Sequence, residues 1–143
     1  MRKILFLFSV ISVVLLQSCE KDSPGDNYEF TNTLPPYVTI QNLKTVTVVA
    51  GESATVNLQM RTSLQQKVTA TYKVDGAIKL NDQTVVIERD KTTASISILV
   101  PAELAVGSES TLTLVKAVTE SGETLTIGQD NVAANQKVKI VVK

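Results

Sequence analysis

The chain has no histidine, no tryptophan and one cysteine in 143 residues. Without histidine, the side chain that titrates near neutral pH and most often ligates metals is missing. His-dependent acid–base catalysis and most transition-metal sites are thereby excluded. One cysteine cannot close an internal disulfide. Neither charge is in excess, with 14 Lys+Arg against 14 Asp+Glu. That balance removes the basic footprint by which proteins hold nucleic acid. The six glycines are scattered singly, so no glycine-rich loop can cradle a phosphate. No stretch keeps a helical apolar period over three turns, and the length suits one folded domain.

What is present begins with an address. Arg2 and Lys3 precede an uncharged apolar run over residues 4–16. A membrane-spanning helix needs about 20 apolar residues, so this shorter N-terminal run reads as the h-region of a signal peptide. Leu16-Gln17-Ser18-Cys19 follows it directly. A leucine, a small residue and then cysteine at this place resemble the lipobox of bacterial lipoproteins. The resemblance implies that the Cys19 thiol is diacylglycerated, that residues 1–18 are removed, and that the new amine is acylated. One acyl chain anchors a protein only marginally, whereas several hold it stably. Glu20-Lys21-Asp22 after the cysteine is similar to the surface-export signal of Bacteroides-type lipoproteins, which implies an outer-membrane, surface-exposed location.

Residues 19–36 read as the lipidated cysteine and a tether, with Asp22, Ser23, Pro24, Gly25, Asp26, Asn27, Pro35 and Pro36 as linker chemistry. Tyr28, Phe30 and Leu34 interrupt this stretch, either as a segment that docks on the domain or as a binding epitope. From residue 37 to 143 the character changes. After Cys19 the chain holds 17 Val, 17 Thr and 7 Ile, and β-branched side chains favour a pleated, half-buried surface. Apolar residues recur every second position at Ala54/Val56/Leu58/Met60, Val68/Ala70/Tyr72/Val74, Val85/Ile87, Ala94/Ile96/Ile98/Val100, Leu112/Leu114, Leu125/Ile127 and Val138/Ile140/Val142. Residues 38–41 and 44–49 show the same period, which is that of half-buried strands. Gly51-Glu52, Asp75-Gly76, Asn81-Asp82, 89–91 and 121–123 supply turn chemistry between them. At Leu114-Val115 the alternation slips one phase, predicting a bulge or a strand end. Pro101 closes a strand, and a short helical turn is expected at 102–105.

Seven to eight short strands in one domain predict an all-β fold, an antiparallel immunoglobulin-like β-sandwich with an aliphatic core and Tyr72 as its aromatic anchor, with a closed barrel as the alternative. The order of turns and strands from Gly51 to Val100 is similar to that of Calx-beta domains. It also resembles the small immunoglobulin-like modules of Bacteroides-type surface lipoproteins, which implies adhesive or glycan-uptake roles. Calx-beta domains that bind Ca²⁺ use dense acidic clusters, while Asp75, Asp82 and Asp90 stand isolated in this sequence.

Candidate chemistry is sparse. Glu88 and Asp90 would lie about 7 Å apart on one side of an extended segment, a spacing open to a glycosidase pair. Their strand-end context favours solvated turn charges, as it does for Glu120 and Glu123. Gln129-Asp130-Asn131 supplies one carboxylate where Ca²⁺ wants six to eight oxygens. Lys137, Lys139 and Lys143 read as charge protecting an edge strand. The sequence therefore predicts a non-enzymatic, lipid-anchored envelope protein with no metal or cofactor. It presents the sandwich to another envelope protein, with Tyr28, Phe30 and Tyr37 as candidate ligand or partner contacts. The alternative is an accessory glycan-binding module of a polysaccharide-uptake system. Only four aromatic residues follow Cys19, too few for a flat sugar-stacking platform.

Overall fold

The computed structural model describes residues 35–143. These form nine strands, β1 Tyr37–Ile40, β2 Val46–Val48, β3 Ser53–Met60, β4 Val68–Gly76, β5 Leu80–Ile87, β6 Thr93–Leu99, β7 Glu109–Thr119, β8 Thr124–Ile127 and β9 Lys137–Val142, with one 3-10 turn at Ala133–Asn135. The first layer runs β6-β3-β1 and the second β5-β4-β7-β9-β2. β8 belongs to both, pairing antiparallel with β7 through Thr124 and Leu125 and parallel with β1 through Thr126 and Ile127. The chain is an immunoglobulin-like β-sandwich, as the alternation predicts.

Side-chain period explains the layering. β3 alternates outward and inward without a break, burying Ala54, Val56, Leu58 and Met60. Ile96, Ile98 and Val100 meet them from the β6 side, and Val138, Ile140 and Val142 from β9. Each fully buried Val, Leu or Ile contributes about 1.5–3 kcal/mol. Among the described residues the core is almost wholly aliphatic, and Tyr72, 7% exposed, is its single aromatic residue. Burial pushes the Tyr72 phenol above its ordinary pKa, so it is neutral at physiological pH.

β7 carries the phase slip seen in the sequence. Thr71 faces Lys116 but Tyr72 faces Leu114, leaving Val115 as the extra residue of a β-bulge. Inward positions run Ser110, Leu112, Leu114 before the bulge and Ala117, Thr119 after it. The Ser121-Gly122 hairpin also forms, with Gly122 N donating to Thr119 O at 2.9 Å.

Three features differ from the sequence expectation. Asn81-Asp82 does not turn the chain. It is a bulge inside β5, where Asp82 takes a left-handed φ of 50°, a conformation that Asp and Asn tolerate. Residues 102–105 form an isolated turn closed by Leu104 N to Pro101 O at 3.3 Å, not a helix. The pairing is not antiparallel throughout, since β1–β8 and β2–β9 run parallel. The reason is a crossing between layers after Ile40. The Asn42 side-chain carbonyl accepts from Lys44 N at 3.0 Å, turning the chain so that β1 pairs with β3 and β2 with β9.

The β4–β5 corner depends on Gly76. Its φ is +125°, and a Cβ there would lie 2.5 Å from Glu109 O. Ser110 Oγ beside it accepts from Ile78 N at 2.9 Å. A non-glycine residue would have to adopt strained backbone and displace β7, each at a cost of about 1–3 kcal/mol. Gly76→Ala is expected to lower unfolding stability by ~2 kcal/mol or more in urea denaturation, with an unchanged m value.

Candidate binding surface

The two outward faces differ in chemistry. β1, β3, β6 and β8 contain no charged residue. Their outward positions are Tyr37, Thr39, Ser53, Thr55, Asn57, Gln59, Thr93, Ser95, Ser97, Leu99, Thr124 and Thr126, all half-buried or exposed. Across β3 and β6 the register places Asn57 opposite Ser95 and Thr55 opposite Ser97. Ser95 Oγ donates to Asn57 Oδ1 at 2.8 Å. Charged residues flank these strands in the chain, with Glu52 before and Arg61 after β3, Lys91 before β6 and Glu123 before β8, and Asp130 shares a cleft with Thr39 of β1.

The second layer is zwitterionic. Lys73 pairs with Asp75 at 3.1 Å on β4, and Lys139 of β9 with Glu109 of β7 at 2.9 Å. Near one end of the sandwich Arg89 pairs with Glu120 at 2.9 Å and Lys67 with Glu88 at 3.2 Å. These pairs are about half exposed, so solvent screens them and they add little to stability. The Arg89 hydrogen bond and its charge hold the Glu120 carboxyl below the ordinary range. Glu88 is thus an ion-pair partner, and Asp90 occupies a left-handed turn position with φ 58°. Lys137 and Lys139 do not guard an outer strand along its whole length. β9 lies beside β7, and β2 covers its last three residues on the other side.

Gln136 joins the layers, and no periodicity in the sequence marks it. Along the β1 edge Val38 O accepts from Gly128 N at 2.8 Å, where β8 ends. Two residues on, Ile40 N donates to Gln136 Oε1 at 2.9 Å, and Thr39 Oγ1 donates to the same oxygen at 2.8 Å. The side-chain amide thus takes the place of a missing strand residue. Its own carbonyl accepts from Leu114 N at 3.0 Å, tying it to β7.

Beside Gln136 lies an open cleft of about 630 Å³ lined by Thr39, Leu43, Gln129, Asp130 and Asn135. Asp130 accepts from Asn135 Nδ2 at 2.7 Å and from Val132 N at 3.1 Å. Those bonds, Asn135 first, hold its carboxyl below the ordinary range. The carboxylate is engaged in shaping its own loop. Among the described residues no three Asp, Glu, Cys or His side chains converge where a metal ion could be held.

Of the contacts expected from the sequence, Tyr37 is half-buried on β1 opposite Thr126 of β8. Cys19, Tyr28 and Phe30 lie outside the described residues. The uncharged layer itself was missed by the sequence reading, although its signal was present in four strands that lack Asp, Glu, Lys and Arg.

No family model and no curated protein sequence matches the chain. Among solved structures it is similar to the apo-form Calx CBD1 domain, with TM-score 0.53 and 8% identity over 76% of this chain and 98% of that one. It also matches the ASH / PapD-like domain of human CEP192 (PapD-like domain 7) at TM-score 0.36 and 9% identity, over 77% of this chain and 86% of that one. The Calx likeness establishes a shared sandwich architecture.

Replacing Gln136 would leave the buried Ile40 N–H without an acceptor, at about 1–3 kcal/mol. Gln136→Leu is expected to lower stability by that amount in urea denaturation. Hydrogen exchange at Ile40 should accelerate by more than at Leu58.

Proposed function

We propose that this is a non-enzymatic, lipid-anchored protein of the bacterial cell envelope that presents its sandwich for protein–protein interaction and surface assembly. The carrying observation is the uncharged β6-β3-β1 layer. A neutral face of hydroxyls and amides costs far less to desolvate against a partner than a charged one. It ends in a strand, β6, whose outer side no described residue pairs, and an open edge is where an extended partner strand adds. The absence of charge from 23 residues in four separate strands contrasts with the paired charges of the other layer.

The lipobox-like residues ending in Cys19 support the anchor, and the acidic-basic triplet after it supports the cell surface. The outer membrane is the site this reading assigns. The other reading, an accessory glycan-binding module, draws on Tyr37 beside Thr39 and Gln59 on the neutral layer. Tyr28 and Phe30 are its remaining aromatics. Tyr72 is buried and offers no sugar-stacking face, which favours the protein partner.

Two outcomes are expected. Cys19→Ala should abolish palmitate labelling and move the protein from the membrane to the soluble fraction. Persistence of both label and membrane association would refute the anchor. On intact cells, crosslinking should capture a defined protein, and Thr55→Lys in the middle of the neutral layer should reduce that capture at least tenfold. Capture of polysaccharide, lost on replacing Tyr28, Phe30 and Tyr37 together, would favour the glycan reading instead.

A further inference from the structure

Among the described residues the sandwich has three terminal strands, β5, β2 and β6. Exposed edges present rows of unpaired N–H and C=O groups, and folded proteins normally blunt them with charge, bulges, proline or shortness. β2 is only three residues long and follows Lys44. β5 contains Asp82 inside a bulge that breaks its register. Within its seven residues β6, Thr-Ala-Ser-Ile-Ser-Ile-Leu, carries no charge, bulge or proline; Lys91 lies before it as Lys44 lies before β2, and Pro101 follows it.

The ladder fixes which groups β6 turns outward. Val100 N donates to Glu52 O at 2.9 Å and Met60 N to Thr92 O at 2.7 Å. Together with the register, this makes the even-numbered residues of this strand the hydrogen-bonded partners of β3. The N–H and C=O groups of Thr93, Ser95, Ser97 and Leu99 therefore point away from β3. All four side chains are exposed, Leu99 at 69%.

We propose that a second copy of this chain occupies that edge, pairing β6 with β6 antiparallel about a two-fold axis at Ile96. This inference rests on the interaction and assembly role proposed above. The axis sets Ser95 opposite the partner's Ser97 and Thr93 opposite the partner's Leu99, so all four outward residues gain a partner. A two-fold pair brings each strand's side chains against its own sequence, so any charge on the strand would meet a like charge. β6 carries none, and hydroxyls facing across a ladder attract weakly. The same pairing applied to β5 would bring two copies of Asp82 toward each other, and β2 is too short to gain more than a bond or two. Joining β6 to β6 extends the neutral layer into one continuous sheet with an uncharged face across both copies. The stretch from Cys19 to Pro35 can extend to at most about 55 Å. Copies anchored in one leaflet thus share a thin layer in which even weak pairing is favoured by effective concentration.

Sedimentation equilibrium of the full chain in density-matched detergent tests this. The unaltered chain should show a reversible monomer–dimer equilibrium. Ser97→Pro removes only an N–H that faces outward, a place where edge strands accept proline. It should weaken dimerisation at least tenfold without shifting the melting temperature by more than a few degrees. Should proline disturb the fold, Ser95→Lys with Ser97→Lys puts like charges opposite each other and is expected to do the same. A chain that stays monomeric to millimolar concentration overturns self-pairing, as does a dimer that both variants leave intact. Capture of a different protein by a monomeric chain, lost in Thr55→Lys, would overturn self-pairing while leaving the interaction role standing. Dimerisation lost in the β6 variants, with no other protein captured, would support assembly of copies.

Discussion

The bulge at Val115 fixes the rest of the sandwich. β7 is hydrogen-bonded along one side to β4 over its whole length and along the other to β9 and then β8. A strand with a strict two-residue period would bury the same parity of residue from end to end. Here Leu112 and Leu114 are core residues on even positions and Ala117 and Thr119 on odd ones. Without the extra residue, Lys116 would point into the aliphatic interior. The bulge turns both Val115 and Lys116 outward and lets one strand serve two neighbours with different registers. Because β4, β8 and β9 all take their alignment from β7, a one-residue slip there would put the wrong face of each toward the core.

A core built from Val, Ile and Leu has a consequence for the surface. Aliphatic packing places no geometric demand on a disulfide or a tryptophan, but it has to exclude polar atoms almost completely. Of the four buried polar residues among those described, Thr71, Ser110, Thr119 and Gln136, the last three make side-chain hydrogen bonds. Ser110 accepts from Ile78 N, Thr119 Oγ1 accepts from Glu123 N, and Gln136 accepts from Thr39 and Ile40. No buried side-chain nitrogen or oxygen among the described residues lacks a partner. Charge is therefore confined to outward positions, and there the two layers diverge. The second layer uses it in cross-strand and same-strand pairs. The first has only hydroxyl, amide, Tyr37 and Leu99. Since the core is indifferent to which outward residues are chosen, packing does not explain the difference, whereas the association surface proposed above would.

Strand identity was legible because it depends on a local period. Val56, Leu58 and Met60 declare their side of β3 without reference to any other strand, and the Val115 slip is visible in the same alternation. What was not legible depends on partners distant in sequence. Asn81-Asp82 carries turn chemistry, and whether it turns the chain or bulges a strand is decided by how Tyr72 and Val74 meet β5. The parallel pairings arise because residues 37–48 cross from one layer to the other, a choice set by which edges remain open near Ile127 and Val142. Gln136 is a single polar residue before a strand, and its role follows only from β8 ending one residue pair short on β1. The neutral layer hides for a related reason. Its strands are separated in sequence by charged segments, and balanced overall charge conceals the segregation until the strands are brought side by side.

Edge chemistry and anchoring bear on each other. An unguarded β6 in a freely diffusing protein is an aggregation hazard, since the same row of donors and acceptors accepts any extended chain. In the proposed lipid-anchored form, attachment to a membrane would change the terms, holding the domains in one plane and giving two-fold pairing a cooperative advantage over random association. Pairing of β6 with β6 also closes on itself, because each copy offers one such edge and a two-fold contact consumes both. β5 and β2, being bulged or short, do not continue the sheet outward. A sandwich with one open edge and two blunted ones thus favours a closed pair over a fibre, and that asymmetry, rather than the strength of any one contact, lets an uncharged strand persist on the surface.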